Sequence, residues 1–222
     1  MQLSSCDLIL DWDNNMNYNI ESLFPTNLVL TTVDENTDEL NFDCEKSEYT
    51  KTFVDSEFGT MTSQSKNLRI LKKYPRVEKI LLDKFKKFIK DEYDYSNDFM
   101  ISTSWITKTE KNEFSVTHSH KNSFWSGLYY FGDYDNDAGC ICFYNTLLPF
   151  TDYHLKPDKW NKNNTSIYKL APESKGLIFF PSYLQHSIEP HGSNITRYSL
   201  AFNIVPIGEY GENDSTFNTQ WS

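Results

Sequence analysis

Few side chains in this sequence could carry chemistry. There are five histidines, His118, His120, His154, His186 and His191, and four of them fall in two short segments, THSHKNSFWSG and FPSYLQHSIEPHGSNITRYSLAFN. In an extended strand side chains repeat every two residues, so His118 and His120 would share one face. Two imidazoles on one face at a strand end make half of a metal site, although H-x-H alone reads equally well as two partly exposed polar side chains. The second segment changes that balance. GLIFFP reads as a buried strand, PSYLQH as a bend, and His186 as the start of the return. Eleven residues after His186 comes Arg197, and alternation puts Arg197, Ser199 and Ala201 on one face. An arginine directed into an apolar interior requires a buried anion, because its charge is costly to desolvate unpaired. A dicarboxylate would serve: the guanidinium fork takes a carboxylate through two parallel hydrogen bonds, and Ser199 can add a third.

These residues need a β scaffold, and the second half of the chain supplies one. FMISTSWITKT, FWSGLYYF, GCICFYN, GLIFFP and RYSLAFNIV alternate as strands should. DYDNDAG, between the second and third, reads as a hairpin loop. Residues 64–93 predict an amphipathic helix capped by Ser65, with Ile70, Tyr74, Val77, Leu81, Phe85 and Phe88 on its buried face and a break or kink near Pro75. Ten of the 21 basic residues lie between Lys66 and Lys90, and they read as a solvated helix face rather than a docking surface. Upstream, Asn27 to Val33 reads as one strand, and Asp34 to Asp55 as loops with short strands. No repeat or flexible linker marks a boundary. The expectation is a single domain over 1–222, with a helical and loop-rich part of about 1–97 and a jelly-roll core of about 98–207. The fold class is mainly β with flanking helices.

Composition removes other classes. A chain of 222 residues with 16% aromatic content is not disordered, and a net charge of -10 argues against nonspecific nucleic-acid binding. No run of about 18 apolar residues is present, and MQLSSCDLILDWDNN does not resemble a signal peptide. A cytoplasmic location follows as the expectation, with Cys6, Cys44, Cys140 and Cys142 as free thiols.

The order H-x-H, S-G-x-Y-Y, F-P-S-x-x-x-H and R-x-S-x-A-F-N, spread over about Trp105 to Val205, resembles the iron(II)/2-oxoglutarate-dependent dioxygenases. More closely it is similar to their prolyl-4-hydroxylase-like branch common in marine bacteria and phages, which, for a viral source, would put the protein in the host cytoplasm. The resemblance implies a double-stranded β-helix, or jelly roll, with Fe(II) at its mouth, 2-oxoglutarate as cosubstrate and ascorbate as a supporting reductant. It implies hydroxylation of a prolyl or other amino-acid side chain, in a small molecule, peptide or protein, with release of succinate and CO2. Carried over by position, His118 and His186 match the two iron-binding histidines, and Arg197 matches the residue holding the far carboxylate of 2-oxoglutarate. Ser199 stands beside Arg197, and Tyr130 falls where related enzymes place a tyrosine near that carboxylate.

The departure is His120, which stands where most of the superfamily has Asp or Glu. A third imidazole still forms a facial site but lacks the negative charge. Asp133 and Asp135 lie too far along the chain to replace it, and Glu113 would need a sharp turn back, so His118, His120 and His186 are taken as the metal ligands. His191 reads as an exposed loop residue and His154 as a surface-loop residue near the cup. Two alternatives stand beside this reading: a cupin-like three-histidine dioxygenase that uses no 2-oxoglutarate, and a non-enzymatic jelly-roll binding module. Arg197 at this spacing argues against both.

Overall fold

The computed structural model describes residues 25–52, 61–145 and 156–219. Their elements run β1 (Val29–Thr32), α1 (Asn41–Cys44), β2 (Tyr49–Lys51), β3 (Ser63–Ser65), α2 (Pro75–Tyr93), β4 (Asp98–Thr109), β5 (Ser115–His118), β6 (Trp125–Tyr129), β7 (Ile141–Tyr144), β8 (Ile167–Leu170), β9 (Gly176–Pro181), β10 (His186–Ile188), β11 (Arg197–Tyr210) and β12 (Phe217–Thr219). Strands in the order β1-β9-β6-β11-β4-β3-β2, with β12 on the far end of β11, make an eight-stranded sheet. A second sheet has the order β5-β10-β7-β8, and all strand pairings are antiparallel. This is the mainly β, jelly-roll class with helices on one side.

Alternation along β6 shows how one strand serves two cores. Trp125 and Tyr129 face outward into a cluster with Val77, Leu81, Phe85 and Ile89 of α2, whereas Leu128 and the following Tyr130 face inward with Ile141, Phe143, Ile178 and Phe180. Between them Gly127 lies under the Phe202 ring, where a Cβ would come within 2.1 Å of the ring carbons, so any side chain there would displace the core aromatic. The large sheet is therefore covered on its outer face by α2, and its inner face closes with the small sheet into a cup.

Three sequence expectations need correction. The helix does not begin near Ser65, although the expected break near Pro75 is there: a short 3-10 turn spans Ile70–Lys73, and Pro75 then opens α2 at its first position, where its missing N–H costs nothing. Ser65 sits in β3 instead, buried, with its hydroxyl accepting the Ile106 N–H at 3.1 Å. The DYDNDAG loop is not a hairpin. It carries the chain from β6 in the large sheet to β7 in the small one. The basic helix face is neutralised where it stands, with Lys79–Asp83, Lys87–Asp91, Lys90–Asp94 and Lys86–Asp98 pairs along α2 and its flank. Among the described residues no helix is long and apolar enough to cross a membrane. Cys44, Cys140 and Cys142 are free, while Cys6 lies outside the described residues.

Candidate metal centre

His118, His120 and His186 converge. One ring nitrogen from each lies within 4.8 Å of the others, and no other described His, Cys, Asp or Glu joins the group. Strand register explains the first contact: in the β5–β10 pair His118 and His186 are direct cross-strand partners, with ring centroids 4.3 Å apart. His120 reaches the group differently. β5 ends at His118, so the shared face is not a product of strand alternation. Instead the His120 N–H donates to Ser182 O at 2.9 Å, which ties the chain after β5 to the end of β9 and brings the ring within 5.0 Å of His186.

The three rings are oriented as ligands require. His118 Nδ1 is 2.8 Å from Val116 O, and His186 Nδ1 is 2.9 Å from Leu184 O. A carbonyl only accepts, so both Nδ1 atoms bear the proton and both Nε2 atoms keep a lone pair, the arrangement in which an outer partner fixes the metal-binding tautomer. Burial pushes the His186 pKa down to about 3 and that of His120 to about 4, with the neighbouring His118 adding to both, and burial also lowers His118. All three are neutral at pH 7, as metal ligation demands.

They open into a cavity of about 380 Å³ that also holds Arg197 and Ser199. The inner face of the large sheet is ranked along it. Nearest His120 lie Ser126, Asn203 and Thr103, then Leu128, Ala201 and Trp105, and Arg197 pairs with Thr109 farther along β11. Arg197 is 2% exposed, and burial lowers its pKa. No described carboxylate pairs with it: one terminal nitrogen donates to Gly139 O at 2.6 Å and the other to Thr109 Oγ1 at 3.1 Å, and Nε has no partner. The Tyr130 hydroxyl is likewise buried without a partner, its pKa pushed up to about 12 by burial despite the opposing pull of Arg197. The free fork imagined from sequence is thus half committed to protein oxygens, and its Nε edge is the part left over. Two orphaned donors, one on a cation and one on a phenol, fit an incoming carboxylate.

Other sequence readings resolve plainly. Glu113 is 2% exposed, pairs with Lys51, and accepts the Glu110 N–H at 2.9 Å, so it is committed away from the histidines. His191 is not an exposed loop residue. It is 1% exposed, its Nε2 lies 2.8 Å from Ile195 O, and its backbone bonds to Glu113 and Asn112 stitch two loops together. Trp125 is in the core, Tyr134 is half-buried against the inner cluster and Trp160 is exposed, while His154 lies outside the described residues. Sequence reasoning gave no role to Asn203, Ser126 or Thr109. Asn203 was visible in R-x-S-x-A-F-N, but only pairing across the sheet places it against His120.

Comparison with known proteins agrees with this geometry. Residues 103–203, the stretch holding every residue of the cluster and of the arginine end, match the family model described as "Putative 2OG-Fe(II) oxygenase". The cup has the fold of solved 2OG-Fe(II) oxygenases. Solved structures share the oxygenase fold at low identity. The alpha-ketoglutarate-dependent epimerase SnoN from nogalamycin biosynthesis superposes with a TM-score of 0.59 at 11% identity, covering 83% of this chain and 81% of that one. HygX from Streptomyces hygroscopicus, solved with nickel, 2-oxoglutarate and hygromycin B, gives 0.55 at 10%, covering 82% and 83%. A Pseudomonas putida prolyl-4-hydroxylase gives 0.51 at 13%, covering 80% and 92%. No curated protein matches the sequence.

Proposed function

We propose that this chain is an Fe(II)- and 2-oxoglutarate-dependent dioxygenase that hydroxylates a prolyl or other amino-acid side chain. The observation that carries the reading is one cavity lined by three converging imidazoles and by the buried Arg197, whose Nε has no partner; the buried Tyr130 hydroxyl, also unpaired, lies near enough to Arg197 to feel its charge. His118, His120 and His186 would hold the metal, and Arg197, Ser199 and Tyr130 the far carboxylate of 2-oxoglutarate. When bound, iron and its cosubstrate supply O2-driven oxidation of the substrate, coupled to decarboxylation of 2-oxoglutarate to succinate and CO2. The protein's part is to position and enclose. Leu128, Ile141, Phe180 and Ile188 give the cavity apolar walls. Thr109 and Gly139 hold two guanidinium nitrogens in place, so Arg197 presents its remaining edge without reorganisation.

Hydroxylation of an amino-acid side chain is taken from the motif resemblance to prolyl 4-hydroxylases. An epimerase and a carbocyclase share the fold, so the outcome at the substrate is decided by assay. One observation favours the cupin-like alternative, the absence of a carboxylate from the cluster among the described residues. The test is succinate release in the presence of Fe(II), 2-oxoglutarate and ascorbate, over a panel of peptides and amino acids. Succinate formation that depends on Arg197 supports the proposal, whereas substrate oxidation that proceeds without 2-oxoglutarate replaces it with the cupin-like reading.

A further inference from the structure

A carboxylate ligand presents an oxygen lone pair whichever way it turns, but an imidazole ligand does not. If the proton of His120 sat on Nε2, the third ligand would face the metal with an N–H and the site would close. His118 and His186 avoid this through backbone carbonyls, which can only accept. His120 has no such carbonyl. Its Nδ1 lies 2.7 Å from Ser126 Oγ and 2.8 Å from Asn203 Oδ1. The Asn203 carbonyl oxygen only accepts, which already favours a proton on Nδ1, but a hydroxyl can donate or accept, so the role of Ser126 is set by the hydrogen bonds beyond it.

The surrounding hydrogen bonds fix it. Ser123 Oγ lies 3.0 Å from Trp125 O and 3.2 Å from Ile204 O, both acceptors, so its proton goes to a carbonyl. Ser182 Oγ, 2.9 Å away, must then donate to Ser123. Ser182 has no second proton to give, so Ser126 supplies the one in the 2.8 Å Ser126–Ser182 contact or turns it to Asn203 Oδ1 at 2.9 Å. In either case Ser126 has only a lone pair left for His120. Asn203 is held with its amide nitrogen on Thr103 Oγ1 at 3.0 Å, turning its carbonyl oxygen inward. A register shift between Asn203 and Ile204 in the β11–β4 pairing falls at the residue whose side chain has to be aimed. Ser126 and Ser182 are fully buried, so bulk water does not compete for these bonds.

We infer that the Ser123–Ser182–Ser126 relay, buried at Ser182 and Ser126, together with Asn203 is a tautomer lock for His120, holding the proton on Nδ1 so that Nε2 can bind metal. The lock is what makes histidine usable at a position that would otherwise need a carboxylate. Asn203 and Ser126 are positioning residues in this account, and the inference rests on the proposed metal site. It further requires that an acceptor without a donor face, aspartate at 203, be tolerated, because Oδ1 makes the functional contact.

The test uses the full-length chain. Nitrogen-15 NMR of histidine-labelled, metal-free protein reads the tautomer of each ring directly, and Nδ1–H is expected for all three. Calorimetric titration with Mn(II), and the Co(II) absorption spectrum, then compare wild type with His120→Ala, Ser126→Ala, Asn203→Leu and Asn203→Asp. Removing such an outer partner weakens metal binding roughly 10- to 100-fold. That loss is expected in Asn203→Leu and in the Ser126→Ala/Asn203→Leu pair, with Asn203→Asp restoring wild-type affinity and the Co(II) spectrum. A purely structural role would leave Asn203→Asp as impaired as Asn203→Leu and would overturn the inference. So would an Nε2–H tautomer in wild-type protein, a result that does not depend on any variant folding. If His120→Ala weakens Mn(II) but Asn203→Leu and the pair do not, the lock is refuted and the ligand assignment stands. If His120→Ala leaves Mn(II) affinity unchanged, the ligand assignment itself is refuted, and the lock with it.

Discussion

Replacing Arg197 by alanine separates cosubstrate binding from metal binding. The side chain is buried, carries a charge with no carboxylate partner among the described residues, and has already committed one donor to Gly139 O and another to Thr109 Oγ1. What remains for a ligand is the Nε edge, so at least one charge-assisted bond to 2-oxoglutarate is lost on truncation. Such a bond is worth roughly 1.5–3 kcal/mol, which corresponds to about a 10- to 150-fold loss of affinity. Arg197→Lys should recover part of it, since the charge survives and the fork does not. Titration of 2-oxoglutarate into Mn(II)-loaded protein under nitrogen measures the effect. Mn(II) affinity should stay within about threefold of wild type, because Arg197 is not among the clustered ligand groups. The truncation also strands the Gly139 and Thr109 oxygens, so a fall in melting temperature is expected and is followed separately. Equal 2-oxoglutarate affinity in wild type and Arg197→Ala, with the fold intact, would refute the reasoning and leave the buried cation without a purpose.

Four other outcomes follow from the same structure. His118→Ala and His186→Ala should abolish anaerobic Fe(II) binding, while His120→Asp retains or tightens it by restoring a negative ligand; calorimetry decides. Tyr130→Phe should act with opposite signs on two readouts: removing a buried hydroxyl that has no partner stabilises the ligand-free protein by about 1 kcal/mol, while 2-oxoglutarate binds more weakly. A lower melting temperature for ligand-free Tyr130→Phe would contradict the orphaned hydroxyl. Phe85 is fully buried against Phe99, Trp125 and Phe179, so Phe85→Asp should cost stability by roughly 3–5 kcal/mol or more, visible in denaturant titration before any effect on metal affinity. Burial holds the His186 pKa near 3, below its usual value of about 6.5, so its contribution is present above pH 6.5 and is lost as pH falls; on the order of 2 kcal/mol should disappear by about pH 5 in metal-free protein. Thermal melts at fixed ionic strength would show that slope, and His186→Leu should reduce it, the remainder coming from His120 and His118, whose pKa values burial also lowers.

The fold was legible where periodicity is strong. The strands around Ile106, Leu128, Phe179 and Leu200 alternate because each has a helix-facing side and a cup-facing side, and α2 repeats its apolar residues at Val77, Leu81, Phe85 and Ile89 because one face meets the sheet. Boundaries were less legible. Pro75 suits a first helical turn as well as a kink, and which occurs depends on whether the preceding residues pack as helix or as a 3-10 turn. The sheet to which a strand belongs cannot be read from the strand alone, so DYDNDAG looked like a hairpin when it is a crossing between sheets.

Residue types and spacing alone determined that three histidines and one arginine were the atoms worth following, because a protein interior rarely accommodates such groups without a purpose. The placement and proton state of those histidines were decided by contacts between residues distant in sequence. His118 meets His186 through strand register, His120 is turned by Ser126 and by Asn203, which lies 83 residues away, and Arg197 is aimed by Gly139 and Thr109. His191 marks the same limit from the other side, since a loop sequence that looks exposed is buried once two loops bond through it. Alternation along a strand is local and survives in the sequence as a pattern. Hydrogen-bond direction is a property of partners brought together by folding, and it is that direction which sets the proton on each ring.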